Sequence, residues 1–166
     1  MTRTDYPTAP DERSTLLVML DYVRDTAVFK VNGMNEDDFH RAPIGTSPLT
    51  NPASLLNHLR WVEAYWFEEV MAGTDIDAPW TAEDPDGEMT IALRMSLDEV
   101  LVGYAAQREL SNAVIAARDL DDLAVRNKGK DPHNLRWIIL HLIEETARHN
   151  GHLDLLREMA DGTVGD

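Results

Sequence analysis

The sequence contains no cysteine. That absence excludes disulfides, a protein thiolate nucleophile and cysteine-ligated zinc. Basic residues are scarce as well: 15 Lys+Arg stand against 30 Asp+Glu, a formal net charge of -15. So negative a surface repels phosphate backbones, and no nucleic-acid partner is expected. No run approaches the roughly 18 to 20 apolar residues that span a bilayer, so no membrane association is expected. The polar stretch 1–12 carries no hydrophobic signal core, which points to a cytoplasmic protein. Neither a P-loop, a dinucleotide fingerprint, a G-x-S-x-G elbow, an H-E-x-x-H helix nor an E-x-x-H pair occurs. What is present is 166 residues of ordinary globular composition, 43% hydrophobic and 27% charged, which suits one domain over 1–166. Any metal held must be bound by His, Asp and Glu.

Four stretches carry helical periodicity and none alternates like a strand, so the fold class is all-α, a four-helix bundle with long crossover loops. The first helix runs from about Asp11 to Gly33 on a stripe of Leu16, Leu17, Leu20, Val23 and Val28. The second opens at Asn51-Pro52, a cap followed by proline at the first helical position, and stops at Gly73. The third opens with Ser96-Leu97-Asp98-Glu99, a capping box, and runs to about Arg118. The fourth starts near Asp131-Pro132 and ends before Gly162. Residues 34–50 and 74–95 lack sustained periodicity and read as long loops that can cap a bundle. The acidic run Asp119 to Asp122 reads as a solvated turn.

At about 100° per residue, His149 falls inside the apolar stripe Leu135, Ile138, Leu142, Leu153 and Leu156, with Glu145 one turn earlier on the same face. A carboxylate there needs a partner. Two readings stay open: a divalent ion on which Glu145 and His149 converge, or a buried Glu–His pair. On the second helix, His58 faces inward with the stripe Leu55, Leu59, Val62 and Trp66, and it supplies a third donor. His58, Glu145 and His149 would offer two nitrogens and one oxygen with a position open, a set suited to zinc, nickel or iron(II). His152 and His141 flank the stripe; each is a candidate for proton transfer or for orienting Glu145. Arg148 either faces an anionic cosubstrate or pairs with Glu144. Trp61, Tyr65 and Trp66 read as core, and Trp61 is also the aromatic candidate for cosubstrate contact. His40 reads as an exposed loop residue, and His133 as a surface residue of a first helical turn.

Asn57-His58-Leu59 with Trp61, Trp66 and Phe67, followed by the segment from His141 through Glu145, His149 and His152 to Glu158, resembles the DinB-like superfamily. More narrowly it resembles the branch close to the mycothiol-dependent maleylpyruvate isomerase N-terminal domains. The resemblance implies an up-up-down-down bundle with a metal at one end, held by three residues of the second and fourth helices. Most members use three histidines. The isomerase relatives use His, Glu and His, the pattern of His58, Glu145 and His149. The resemblance also implies a homodimer and a thiol S-transferase acting on a small molecule with a low-molecular-weight thiol as cosubstrate. A metal-bound thiol would ionise near neutrality, and with no cysteine in the chain the thiol must arrive from outside. Competing functions are a metal-dependent hydrolase and a non-catalytic metal-binding or stress-response bundle.

Overall fold

The computed structural model describes residues 8–127 and 131–164, so the stretch 1–12 read for a signal core lies partly outside the described residues. The described chain is helical, without a strand among the described residues. Helix α1 spans Glu12–Val31, α2 Glu36–Phe39, α3 Pro52–Glu63, α4 Gly87–Ala92, α5 Leu97–Ala116 and α6 Leu135–Asp161. From Ala64 to Ala72, α3 continues in the same direction as a π-helix.

Three helix starts stand where the sequence places them. Asp11 accepts from Ser14 N at 2.9 Å, Asn51 from Ser54 N at 2.9 Å, and Ser96 and Glu99 complete a reciprocal capping box. Gly73 closes the π segment at φ +75°, in the left-handed region that favours glycine. Two differences concern the loops. Residues 34–50 and 74–95 contain α2 and α4, each shorter than two turns and therefore without enough period to show in a sequence. The last helix is capped by Asn134, whose side chain accepts from Trp137 N, and not by Asp131. Before it, Leu123 and Asn134 form an isolated antiparallel bridge, and the amides of Val125 and Arg126 donate to Met71 O and Val70 O at the end of the π segment. Val125 and Arg126 thereby satisfy carbonyls that the helix leaves open.

Helix α1 packs along α6, and α3 packs against α5, α4 and α6. The buried apolar residues form two clusters. One gathers Ala27, Val31, Phe39, Leu56, Leu59, Val100, Leu153 and Leu156; the other gathers Leu20, Val23, Phe67, Met71, Ile138, Ile139 and Leu142. Between them α6 contributes Thr146 and Asn150, both buried. Arg24 of α1 and Glu63 of α3 also meet away from water, each 1% exposed. Arg24 Nε donates to Glu63 Oε1 at 2.8 Å and Nη2 donates to Oε2 at 2.6 Å, a two-pronged contact; Nη1 donates to Asn112 and Asp21.

This pair explains why the stripe of α3 is misplaced when read from apolar residues alone. Its buried face runs through Leu56, Leu59, Glu63, Phe67 and Val70, whereas Val62 and Trp66 are half-buried on the flank. A carboxylate at the centre of the face hides it from a count of apolar residues. Removing one partner should be far worse than removing both, because the survivor is an unpaired buried charge. Arg24→Met should cost about 3–5 kcal/mol in urea unfolding, and adding Glu63→Leu should restore most of it. Equal losses in the single and double variants would contradict this.

Candidate metal centre

His58 on α3 and Glu145 and His149 on α6 bring one ligand atom each to within 4.8 Å of one another. Glu145 Oε1 lies 3.1 Å from His149 Nε2 and 3.5 Å from His58 Nε2. The two imidazoles meet edge to face, centroids 5.1 Å apart. One helical turn separates Glu145 from His149, so both project from one side of α6. The side chains keep 23%, 17% and 13% of their surface in the order His58, Glu145, His149. They stand beside the apolar face of their helices, not in its middle, and solvent reaches them. Two imidazole nitrogens and one carboxylate oxygen at these separations fit a single divalent ion and leave a side open for another ligand. The trio lies near the midpoint of α6, level with Thr146 and Asn150.

The charges are mutually arranged. Burial works against a proton on His58, yet hydrogen bonding and charge from Glu88, then Glu145, outweigh it and raise the imidazole above its ordinary range. Burial alone would raise Glu145; His149 and His58 overcome this and hold the carboxyl below the usual carboxylate range. His149 goes the other way, lowered by burial and then by the neighbouring His58. The downward shifts of His149 and Glu145 favour the neutral imidazole and the carboxylate that an ion needs, whereas His58, shifted upward, must give up its proton to an ion.

The other candidates divide. His152 joins the trio: its Nδ1 lies 3.3 Å from His149 Nδ1, so it contacts His149 and not Glu145. His141 does not join it. Its ring stacks on Trp137 at 5.1 Å and meets the edge of Trp66 at 5.0 Å, with Glu144 at 3.7 Å. His133 stacks on the other face of the same arrangement, 3.7 Å from Trp137, and is half-buried just before α6, not a surface residue of its first turn. Arg148 is exposed. His40 is not a free loop residue either: Nδ1 bonds Glu36 O and Nε2 bonds Met95 O, both at 2.9 Å. Trp61, Tyr65 and Trp66 are half-buried and do not form core. With Val62, Trp80, His58 and Glu88 they line a cavity of about 160 Å³.

The family model of the mycothiol-S-transferases matches residues 15–162, which includes all three donors and the cavity walls. The chain belongs to the mycothiol-S-transferase family, a DinB-like family. No curated protein matches the sequence.

Two residues of this site escape a reading of the sequence, and both lie in the stretch that looks like loop. Glu88 Oε1 lies 3.0 Å from His58 Nδ1, the nitrogen turned away from the trio. Trp80 meets Trp61 and Tyr65 edge-on at 5.9 and 6.5 Å. The available signal for Glu88 is chemical: an imidazole that gives one nitrogen to an ion ordinarily donates the other N–H to a carboxylate or carbonyl. Helix α4 is docked by Asn57, whose amide donates to Glu88 O at 2.5 Å, and by Ser54, whose hydroxyl donates to Met89 O at 2.9 Å. At its start, a Cβ on Gly87 would stand 2.1 Å from Pro79 O. No side chain fits there without moving backbone, so Gly87→Ala should lower stability by about 1–3 kcal/mol in urea unfolding, the usual cost of overpacking. An alanine variant as stable as wild type would show that the Pro79–Gly87 contact does not fix α4.

Proposed function

We propose that the chain is a metal-dependent thiol S-transferase in which His58, Glu145 and His149 hold one divalent ion, zinc first, with nickel or iron as the other fits. The observation that carries this is the convergence of three suitable donor atoms within 4.8 Å in a mycothiol-S-transferase family member. On this reading residues 1–166 are one DinB-type, up-up-down-down four-helix bundle, working in the cytoplasm as a homodimer on a small-molecule electrophile.

Bound at this trio, a divalent ion supplies the Lewis acidity that brings a thiol's pKa toward neutrality. The overall transfer forms a carbon–sulfur bond, breaks the bond to the electrophile's leaving group, which departs with the electron pair, and releases the thiol proton. The chain's own residues prepare that event. Glu88 accepts Nδ1–H of His58, which leaves the Nε2 lone pair directed toward Glu145 and His149. His152 is placed to accept Nδ1–H of His149, and that tautomer presents Nε2 on the same side as Glu145. His152 therefore acts as a positioning residue. His141, held between Trp66 and Trp137, does not reach the trio and packs against Trp66, one wall of the cavity. Arg148, exposed beside His149 in sequence, is the candidate contact for an anionic group of the cosubstrate.

Protein purified without a polyhistidine tag should carry one divalent ion per chain by elemental analysis. His149→Ala should abolish that stoichiometry. Glu88→Gln should weaken the ion about 10- to 100-fold in a chelator competition, the usual effect of losing a ligand's orienting partner. Wild type should conjugate mycothiol to 1-chloro-2,4-dinitrobenzene, followed by absorbance, only with metal and thiol both present. Full metal in His149→Ala would contradict the ligand assignment; metal-dependent turnover without thiol would favour the hydrolase.

A further inference from the structure

We propose that the cavity of about 160 Å³ beside His58 is the subsite for the electrophilic substrate and takes an uncharged, single-ring aromatic group. This rests on the reading of the trio as the reaction centre, because His58 lines the cavity with one edge and belongs to the trio with the other.

Three properties of the walls lead to that class of ligand. The first is size. A cavity of roughly 150 Å³ lined by apolar side chains accommodates benzene, so this space suits one ring and not a fused system. The second is ring geometry. Trp61 and Trp80 stand at 83° to each other, and Tyr65 and Trp80 at 70°. Mutually perpendicular rings offer a guest both faces and edges, and flat rings pair with such walls by stacking or edge-to-face contact. All four aromatic residues, large as they are, retain exposed surface, while Phe39 and Phe67 fill the core. Burial alone does not account for such a cluster.

The third is charge. No Lys or Arg lines the cavity, and the two charges of an ion at the trio would be offset by Glu145 and a thiolate, which leaves Glu88 as the unbalanced charge of the wall. Glu88 is 7% exposed, and its Oε2 has no hydrogen-bond partner. A carboxylate so withdrawn from water, in a wall without a compensating lysine or arginine, repels carboxylates, phosphates and sulfonates. Trp80 completes the enclosure from the segment before α4, carried in by the same approach of Pro79 to Gly87 that delivers Glu88. One backbone contact thus sets both the orienting carboxylate of His58 and the far wall of the cavity.

The test uses three of the four tryptophans as reporters. In ¹⁵N-labelled full-length protein, titration with benzyl alcohol should shift the indole N–H signals of Trp61 and Trp80 and leave Trp137, outside the cavity, unmoved. Sodium benzoate at the same concentrations should shift neither. Cyclohexylmethanol, of similar size without a π face, should bind several-fold more weakly. Trp80→Ala should raise the benzyl alcohol Kd by about tenfold, in line with the loss of one aromatic wall, and Trp80→Phe should retain most of the affinity. Benzoate acting like benzyl alcohol, equal shifts at Trp137, or no shift at Trp61 and Trp80 would each overturn the proposal. Metal content measured on the same samples separates this inference from the one beneath it. Metal bound without indole shifts refutes the subsite alone; indole shifts in a protein that binds no metal uphold the cavity and refute the reaction centre.

Discussion

His58 is held between two carboxylates, and much of this molecule follows from that arrangement. Glu145 approaches Nε2 from α6, and Glu88 approaches Nδ1 from α4. A carboxylate partly removed from water must be met by positive charge or by donors. Here one imidazole meets two of them, which ties three helices to a single ring. Asn57 and Ser54 of α3 hold α4 by its carbonyls, and the close passage of Pro79 over Gly87 brings Trp80 to the opposite wall. The site is thus built by α3 and α6 and oriented from a segment that looks, in sequence, like connecting loop.

A second set of charges lies inside the fold, and the contrast between the two is informative. Arg24 and Glu63 are each 1% exposed, joined by two hydrogen bonds, and Nη1 of the guanidinium donates to Asn112 and Asp21. Tyr104, fully buried beside them, has its hydroxyl ionisation pushed upward by burial and by Glu63. The pair at its centre is closed: one guanidinium meets one carboxylate, and each keeps 1% of its surface. The trio of His58, Glu145 and His149 is open, with each side chain still touching solvent. A closed pair specifies how helices meet, whereas an open one has room for an ion, a thiol and a substrate.

The helices were legible because their ends are. Asp11, Asn51-Pro52, the box of Ser96 with Glu99, and Gly73 all mark boundaries through backbone chemistry that acts locally. Convergence of His58 with Glu145 and His149 was legible through periodicity on two helices, although each residue stands at the margin of its stripe. On α3 the error has a physical source: Glu63 occupies the centre of the buried face, and only its tertiary partner Arg24 permits it. Helices α2 and α4 were not legible, being too short to display a period. Glu88 and Trp80 were hidden with them, since their importance comes from where Gly87 lets the backbone pass and not from any pattern in their neighbours.

The central claim is that one divalent ion belongs among His58, Glu145 and His149. Anomalous diffraction from crystals of zinc-loaded, untagged protein tests it most directly. The account predicts a single strong anomalous peak per chain, bonded to a nitrogen of His58, a nitrogen of His149 and an oxygen of Glu145, with Glu88 still on the far nitrogen of His58. A peak held by other residues, or zinc-soaked crystals with no peak between these three side chains, would contradict it.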